Sequence, residues 1–213
     1  MKLQLALDEL KLPEALALAE RVREHVDIIE IGTPFVIDMG MQAVRAFREA
    51  FPEKELLSDE KIMDGGWLES TLAFEAGANY VTALGVTDIL TIEACLKAAK
   101  AHQRQLMVDM ICVEDIPTRI RELEAVGVDL IAVHIGADQQ AAGRRPIDDL
   151  RLMKQHVQHA KVAVAGGINS QTIAQYVALE PDIIIVGSAI THASDPVEEA
   201  RLIKAAMLRT EVV

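Results

Sequence analysis

The chain has 213 residues, 51% of them hydrophobic and 25% charged, which is enough for one domain with a full core and excludes an intrinsically disordered chain. A formal net charge of −12 and a sequence pI of about 4.9 argue against nucleic acid or an anionic membrane surface as a partner. A small anionic substrate is compatible with that charge, because it needs only local positive charge or backbone amides.

The sequence predicts a cytoplasmic protein. Residues 1–8 are too short and become acidic too soon for a signal peptide, and no apolar run approaches the length of a membrane span. The two cysteines, Cys95 and Cys112, lack the spacing of metal ligands, so we expect free thiols in a reducing compartment.

Short apolar runs of β type alternate with longer amphipathic helical runs along the whole chain. The predicted strands are residues 3–8, 27–31, 55–61, 79–83, 105–110, 129–134, 161–165 and 182–186. The predicted helices are residues 13–24, 38–50, 66–76, 88–100, 115–126, 147–159, 170–179 and 196–208.

The strands are almost continuously apolar, which requires cover on both faces of the sheet and therefore predicts a parallel sheet. Eight βα units in 213 residues match one (β/α)₈ TIM-barrel domain over residues 1–213. The alternative is a doubly wound open sheet, which usually has a glycine-rich first turn. Residues 8–13, the first turn here, contain no glycine, so the barrel is favoured.

Charged or ionisable side chains end five of the eight predicted strands. Barrel enzymes place their chemistry at the carboxyl ends of the strands. Any one of these side chains could be a helix cap or an ion-pair partner, but five at one face indicate a common pocket. The residues concerned are Asp8, Glu30, Asp59 with Lys61, Asp109 and His134.

These residue types indicate distinct roles. Glu30 and Asp59, from neighbouring strands, could supply oxygen ligands to a hard divalent cation, and Mg²⁺ suits two carboxylates plus water and substrate oxygens. Asp8 and Asp109 could bind the hydroxyls of a polyol. His134 is the natural base near neutral pH.

Glycines follow the last two predicted strands, at Gly166-Gly167 and at Gly187-Ser188. Paired glycine loops at these strand ends expose backbone N–H groups and commonly bind phosphate in barrels, although tight turns are the simpler alternative. Together with the acids, the lysine and the histidine, the loops predict a phosphosugar enzyme that makes an enediolate.

Residues 59–64, Asp-Glu-Lys-Ile-Met-Asp, resemble the D-x-K-x-x-D motif of the orotidine-5′-phosphate decarboxylase suprafamily. The runs 5–8, 30–34, 108–110, 134–143 and 165–168 extend the resemblance over essentially the whole chain. They are similar to the corresponding runs of the 3-hexulose-6-phosphate synthases, one branch of that suprafamily.

The resemblance implies a lyase that condenses formaldehyde with D-ribulose 5-phosphate through a Mg²⁺-stabilised enediolate, giving D-arabino-hex-3-ulose 6-phosphate. It implies metal ligands, a lysine on the enediolate oxygens, a proton-transfer histidine, and acids that contact substrate hydroxyls. The matching positions are respectively Glu30 with Asp59, Lys61, His134, and Asp8 with Asp109.

Two further features follow from the resemblance. Asp64 matches a residue that reaches into the neighbouring subunit's site, which implies a homodimer with shared active sites. The phosphate loops match Gly166, Gly167, Gly187 and Ser188.

Other members of the suprafamily are alternatives. The 3-keto-L-gulonate-6-phosphate decarboxylases tend to have Glu at the end of strand five and Arg three residues after the strand-six histidine. Asp109 and Ala137 occupy those positions here, which favours the synthase. Orotidine-5′-phosphate decarboxylase itself is metal-free, whereas Glu30 and His134 fit the metal-dependent branch. The non-enzymatic alternative is a catalytically weakened barrel that binds a phosphosugar.

Three residues depart from the pattern of the resemblance. Ser58 and Glu60 stand where small or apolar residues are usual, and Ile135 replaces a threonine or serine. Alternation predicts that Glu60 faces the helix layer, where an unpaired charge is costly. We therefore expect Glu60 either to perturb its strand or to pair with a basic neighbour.

Overall fold

The computed structural model describes residues 1–208, which form a closed barrel of eight parallel strands in sequence order. Pairing of the first strand with the eighth closes the barrel. The TIM-barrel prediction is therefore confirmed. The strands are β1 (Lys2–Leu7), β2 (Ile28–Ile31), β3 (Glu55–Ile62), β4 (Tyr80–Leu84), β5 (Gln105–Asp109), β6 (Leu130–His134), β7 (Lys161–Ala165) and β8 (Ile183–Val186).

Helices follow the strands and cover the outside of the barrel. A 3-10 turn at Arg23–His25 follows the first helix. The helices are α1 (Leu12–Val22), α2 (Thr33–Met39), α3 (Met41–Ala50), α4 (Gly66–Ala76), α5 (Ile89–His102), α6 (Ile116–Ala125), α7 (Ala137–Ala141), α8 (Ile147–His156), α9 (Ile173–Val177), α10 (Ser188–Thr191) and α11 (Pro196–Leu208).

Some predicted helices were wrong in detail. The helix predicted at residues 38–50 corresponds to α3, which begins at Met41, whereas residues 38 and 39 end a separate helix, α2, that was not predicted. Gly40 divides the two helices, because its φ of 57° and ψ of −152° fit no helix. The helix predicted at 170–179 is shorter. The short helices α7 and α10 were not predicted, since neither is long enough to show an amphipathic repeat.

The core has two layers, as a filled barrel requires. The inner layer lies within the barrel and includes Ile28, Leu57, Met107 and Ile185. The outer layer, between strands and helices, is larger. Since both faces of the sheet are buried in this way, polar side chains of the strands can reach water only at the two ends of the barrel.

Strand β3 departs from regular geometry where its charged residues begin. Ser58 pairs with Val81 of β4, but the next pair is Ile62 with Ala83, so residues 59–61 stand opposite Thr82 alone. Lys61 adopts a left-handed backbone with φ 49°, which is uncommon for a residue with a side chain. This bulge re-aims side chains at the mouth of the barrel, as bulges beside functional sites often do.

Candidate active site

Asp59 and Lys61 meet at the mouth of the barrel. Asp59 is buried, and its Oδ2 accepts hydrogen bonds from Lys61 Nζ and Thr33 Oγ1, each at 2.7 Å. Its Oδ1 accepts from Thr82 Oγ1 at 2.6 Å, and Thr82 Oγ1 in turn accepts from the Lys61 N–H at 2.9 Å. The two side chains meet in one pocket, and Thr82 contacts both residues across the bulge between them.

Lys61 and His134 share a second carboxylate. Asp109 Oδ2 accepts from Lys61 Nζ at 3.1 Å and lies 2.8 Å from His134 Nδ1, while its Oδ1 accepts from the Ile111 N–H at 2.9 Å. A carboxylate acceptor favours the tautomer with the proton on Nδ1, which leaves Nε2 of the neutral ring as a base. We define these four side chains, Asp59, Lys61, Asp109 and His134, as the charge relay of the site.

The electrostatics keep both members of the central ion pair charged. Burial opposes the charge on Lys61, but Asp59 and Asp109 outweigh it and raise the pKa of the ammonium. Burial likewise opposes ionisation of Asp109, but its bonds to His134 and the nearby Lys61 lower the pKa of this carboxyl. The lysine therefore stays cationic and Asp109 anionic at neutral pH.

Glu30 lies beneath the mouth with 8% of its surface exposed, and its Oε2 accepts from Gln4 Nε2 at 2.6 Å. Burial, and then the negative charges of Asp59 and Asp8, raise the pKa of Glu30 well above its ordinary value. A cation held by Glu30 and Asp59 would offset this repulsion.

The available ligands fit a hard divalent cation. Within residues 1–208, no group of three or more histidine, cysteine or acidic side chains is arranged to hold a metal ion. Two carboxylates from Glu30 and Asp59, completed by water and substrate oxygens, match the preference of Mg²⁺ for few protein ligands.

Asp8 follows β1 and stands at the same mouth. Its side chain packs on Gly32 so closely that a Cβ at that position would lie 2.0 Å from Asp8 Oδ1. Asp8 is exposed to solvent, but partial desolvation by the surrounding mouth, and then the charge of Asp59, raise the pKa of its carboxyl. Gly32 is thus required for Asp8 to reach this position beside the charge relay.

Two glycine loops close the opposite side of the mouth. Gly166 has φ 123°, and a Cβ there would lie 2.8 Å from the carbonyl oxygen of Ile135; Gly167 has φ 66°. After β8, Gly187 leads directly into α10 at Ser188, and the first turn of a helix has backbone N–H groups without intrahelical acceptors. This arrangement is suited to an anionic group such as phosphate.

Asp64 lies outside the charge relay. Its side chain is exposed, and Oδ1 accepts from the N–H of Gly65 at 2.7 Å. Five apolar side chains are exposed on the loop after β3, which contains Asp64, on the following helix α4 and at the start of α5. They are Met63 (54% exposed), Trp67 (43%), Leu68 (63%), Leu72 (46%) and Leu90 (69%), and we call them the apolar face.

The structure also places the three departing residues. Ser58 is fully buried, and its Oγ donates to Glu60 Oε1 at 2.5 Å, so the two departures are partners and a serine, rather than a basic residue, binds Glu60. Their strand is indeed irregular there. Ile135 is buried, and its carbonyl oxygen accepts from Gln140 Nε2 at 2.7 Å beside the Gly166 loop.

Sequence reasoning missed the side chains that hold the acids in place. Thr33 and Thr82 bind Asp59, and Gln4 binds Glu30. Gln4 and Thr82 are single polar residues inside apolar strands, and that isolation was the available signal. Thr33 lies outside the strands, at the start of α2, where a polar residue is ordinary, so no signal in the sequence marked it.

Two recesses in the described part of the chain lie away from this site. One of about 600 Å³ is lined by Val86, Thr87, Asp88, Ile89, Arg119 and Glu122. The other, about 190 Å³, lies at the amino end of the barrel and is lined in part by Lys2, Tyr80 and Lys161. Neither contains a predicted site residue, so the site is marked by its side-chain contacts and not by cavity volume.

No helix within residues 1–208 is both long and apolar enough to cross a membrane. Both predicted free thiols are present, with Cys95 buried and Cys112 exposed.

Comparison with known proteins places the chain in a family. Residues 1–203 match the family described as orotidine 5′-phosphate decarboxylase / HUMPS. A 3-hexulose-6-phosphate synthase of Bacillus subtilis (strain 168) is 46% identical over 204 residues, covering 96% of this chain and 97% of the relative.

Solved structures agree. The crystal structure of 3-hexulose-6-phosphate synthase from Salmonella typhimurium is 59% identical, with a TM-score of 0.97 over 98% of this chain and 99% of that one. A 3-keto-L-gulonate-6-phosphate decarboxylase from Vibrio cholerae is more distant, at 28% identity and a TM-score of 0.86 over 98% of this chain and 97% of that one.

Proposed function

The chain belongs to the orotidine 5′-phosphate decarboxylase / HUMPS family, and from that premise we propose how the mouth of its barrel works as a 3-hexulose-6-phosphate synthase, a carbon–carbon lyase. A base removes a proton from C1 of D-ribulose 5-phosphate. The resulting enediolate carbon bonds to the carbon of formaldehyde, whose oxygen takes up a proton to give D-arabino-hex-3-ulose 6-phosphate.

The observation that carries the proposal is the charge relay. His134 Nε2 removes the proton, and Asp109, 2.8 Å from Nδ1, orients the ring and stabilises the imidazolium that forms. The imidazolium then returns the proton to the oxygen of the adduct. Lys61, held between Asp59 and Asp109, places a fixed positive charge where the enediolate oxygens become negative.

The remaining predicted residues bind substrate and metal. We assign the phosphate to Gly166, Gly167, Gly187 and Ser188, and the sugar hydroxyls to Asp8 and Asp109. Glu30 and Asp59 would hold Mg²⁺, which when bound supplies Lewis-acid stabilisation of the enediolate.

A homodimer follows from the same proposal. Soluble monomers rarely expose large apolar patches, and the exposed side chains of the apolar face include Met63, which precedes Asp64 in the sequence. A second copy docked there would cover Trp67 and Leu68 and bring Asp64 to the partner's site. We place this dimer in the cytoplasm, where Cys95 and Cys112 would stay reduced.

The test is an assay of formaldehyde loss with ribulose 5-phosphate and Mg²⁺, with and without EDTA. We expect EDTA-sensitive loss with the wild type and about a 100-fold or larger fall in kcat for His134→Ala. His156→Ala, on α8 and away from the strand ends, is the matched control and should keep full activity. The mechanism is contradicted if the wild type shows no EDTA-sensitive loss of formaldehyde, or if His134→Ala keeps full activity.

The decarboxylase alternative is tested beside it by supplying 3-keto-L-gulonate 6-phosphate and measuring CO₂. Ala137, the first residue of α7, stands where the resemblance implies the decarboxylase's arginine, so we expect CO₂ release to be much slower than formaldehyde loss. If CO₂ release is faster than formaldehyde loss, the decarboxylase becomes the main activity and the synthase the minor one.

A further inference from the structure

Gln4 is a polar side chain in the middle of the barrel core. It pairs in β1 with Ile28 on one side and Ile185 on the other, both members of the apolar inner layer, and it is 0% exposed. An amide buried without full hydrogen bonding destabilises a protein core. A residue of this type in this place calls for a specific role.

The two ends of the Gln4 amide are treated differently. Nε2 donates to Glu30 Oε2 at 2.6 Å, while Oε1 has no hydrogen-bond partner among the described residues. The side chain thus satisfies the carboxylate and leaves its own oxygen unpaired. A residue serving only the stability of the core would more often be apolar here, as its neighbours Ile28 and Ile185 are.

We propose that Gln4 is a positioning residue for the metal site, holding the Glu30 carboxylate in the orientation in which it binds the divalent cation. This inference rests on the proposed metal-binding role of Glu30. Hydrogen bonds to a ligating carboxylate fix its direction, and removing such a partner typically weakens metal affinity by about 10- to 100-fold. Gln4 lies two residues before Ala6, the register partner of Glu30 in β1, and would act on the metal through the Glu30 carboxylate.

The test measures Mn²⁺ binding without substrate, by the loss of the free-ion EPR signal, and uses Gln4→Met, which keeps the length of the side chain and removes the donor. We expect the Kd for Mn²⁺ to rise about 10- to 100-fold. Gln105→Met is the matched control: the same substitution at the amino end of β5, beside the recess at the opposite end of the barrel, should leave the Kd unchanged.

A second variant covers a folding defect. Gln4→Asn keeps a buried amide but shortens its reach by one methylene, so the circular dichroism spectrum should match the wild type while the Kd still rises. Wild-type Kd in either folded variant overturns the proposal for Gln4. The proposed function fails separately if the wild type binds no Mn²⁺, or if Glu30→Gln binds it as tightly as the wild type.

Discussion

Asp109 shows at the scale of one residue how the site controls protonation. Its Oδ2 faces both the Lys61 ammonium and His134 Nδ1, and its Oδ1 is fixed by the Ile111 N–H. Because these partners lower the pKa of the Asp109 carboxyl, it remains an acceptor across the neutral range. The orientation and tautomer of the histidine therefore depend on the charge of this acid.

Replacing Asp109 with asparagine tests that dependence. Asparagine has no negative charge to stabilise the imidazolium, and only one end of its amide can accept, so either the Ile111 N–H or the lysine and histidine lose their acceptor. We therefore expect kcat to fall by about 100-fold or more. The Kd for Mn²⁺ should stay near the wild-type value, because Asp109 is not a proposed metal ligand. An unchanged kcat would show that His134 needs no such partner.

Ser58 and Glu60 form a buried pair whose energies should not add. The pKa of Glu60 is raised mainly by burial, which the hydrogen bond from Ser58 opposes, so removing the serine alone leaves a partly buried carboxylate without its donor. We expect Ser58→Ala to lower the free energy of unfolding by about 1–3 kcal/mol. Ser58→Ala with Glu60→Ala should lie closer to the wild type, because both partners are then apolar.

Urea unfolding of the two single variants and the double variant measures this coupling. Glu49→Ala, on the exposed side of α3, is the control and should change stability by less than about 0.5 kcal/mol. Strictly additive effects of Ser58→Ala and Glu60→Ala would contradict the pairing.

Glu124 acts at the scale of elements, joining α6 to the segment that enters β7. It is 8% exposed, and its carboxylate accepts from the backbone N–H groups of Gln158, His159 and Ala160 at 2.9 to 3.2 Å. Burial opposes ionisation of Glu124, but the three backbone donors outweigh it and lower the pKa of this carboxyl. One side chain thus satisfies three backbone donors of a loop.

The lowered pKa gives the stability contributed by Glu124 a definite pH dependence. The contribution is fully present above the ordinary glutamate pKa of 4.5 and is lost as the pH falls below it toward the folded-state pKa. Glu124→Gln should therefore be less stable than the wild type at pH 7, by about 1–3 kcal/mol. The difference should shrink in urea unfolding at progressively lower pH. Glu49→Gln, on the exposed side of α3, is the control and should change stability at pH 7 by less than about 0.5 kcal/mol.

At the scale of the whole molecule, the proposed dimer predicts complementation between inactive subunits. If Asp64 serves the partner's site, a mixed dimer of Asp64→Asn and His134→Ala contains one intact site. Random refolding of an equal mixture makes about half of the dimers mixed, and each mixed dimer has one intact site of two, so about a quarter of the wild-type activity should return. The specific activity of the refolded mixture measures this.

Lys61→Ala mixed with His134→Ala is the matched control. Lys61 and His134 belong to the same site of one chain, both bonded to Asp109, so no mixed dimer regains an intact site and activity should stay absent. Recovery in this control would contradict a single-chain origin of Lys61 and His134, and no recovery with Asp64→Asn would place Asp64 outside the shared site.

Local sequence determined the strands and the longer helices, but not the short helices α2, α7 and α10. A strand is recognised from a few neighbouring residues, as an apolar run that ends at helix caps or glycines. Eight such strands, each buried on both faces, favour a closed parallel barrel. For the same reason Asp8, Glu30, Asp59, Asp109 and His134 could be assigned to one face of the barrel before any contact was known. The resemblance to a known family added the chemistry that these positions imply.

Tertiary structure decided which side chains meet. The bulge that sets Lys61 at φ 49°, the donors Thr33 and Thr82 on Asp59, the Ser58–Glu60 pair and the buried Gln4 depend on the register between neighbouring strands. Register is set by closing the whole barrel, and residues far apart in the chain contribute to it. The sequence alone therefore placed the candidate site at the strand ends, and only the closed fold showed how its charges are held.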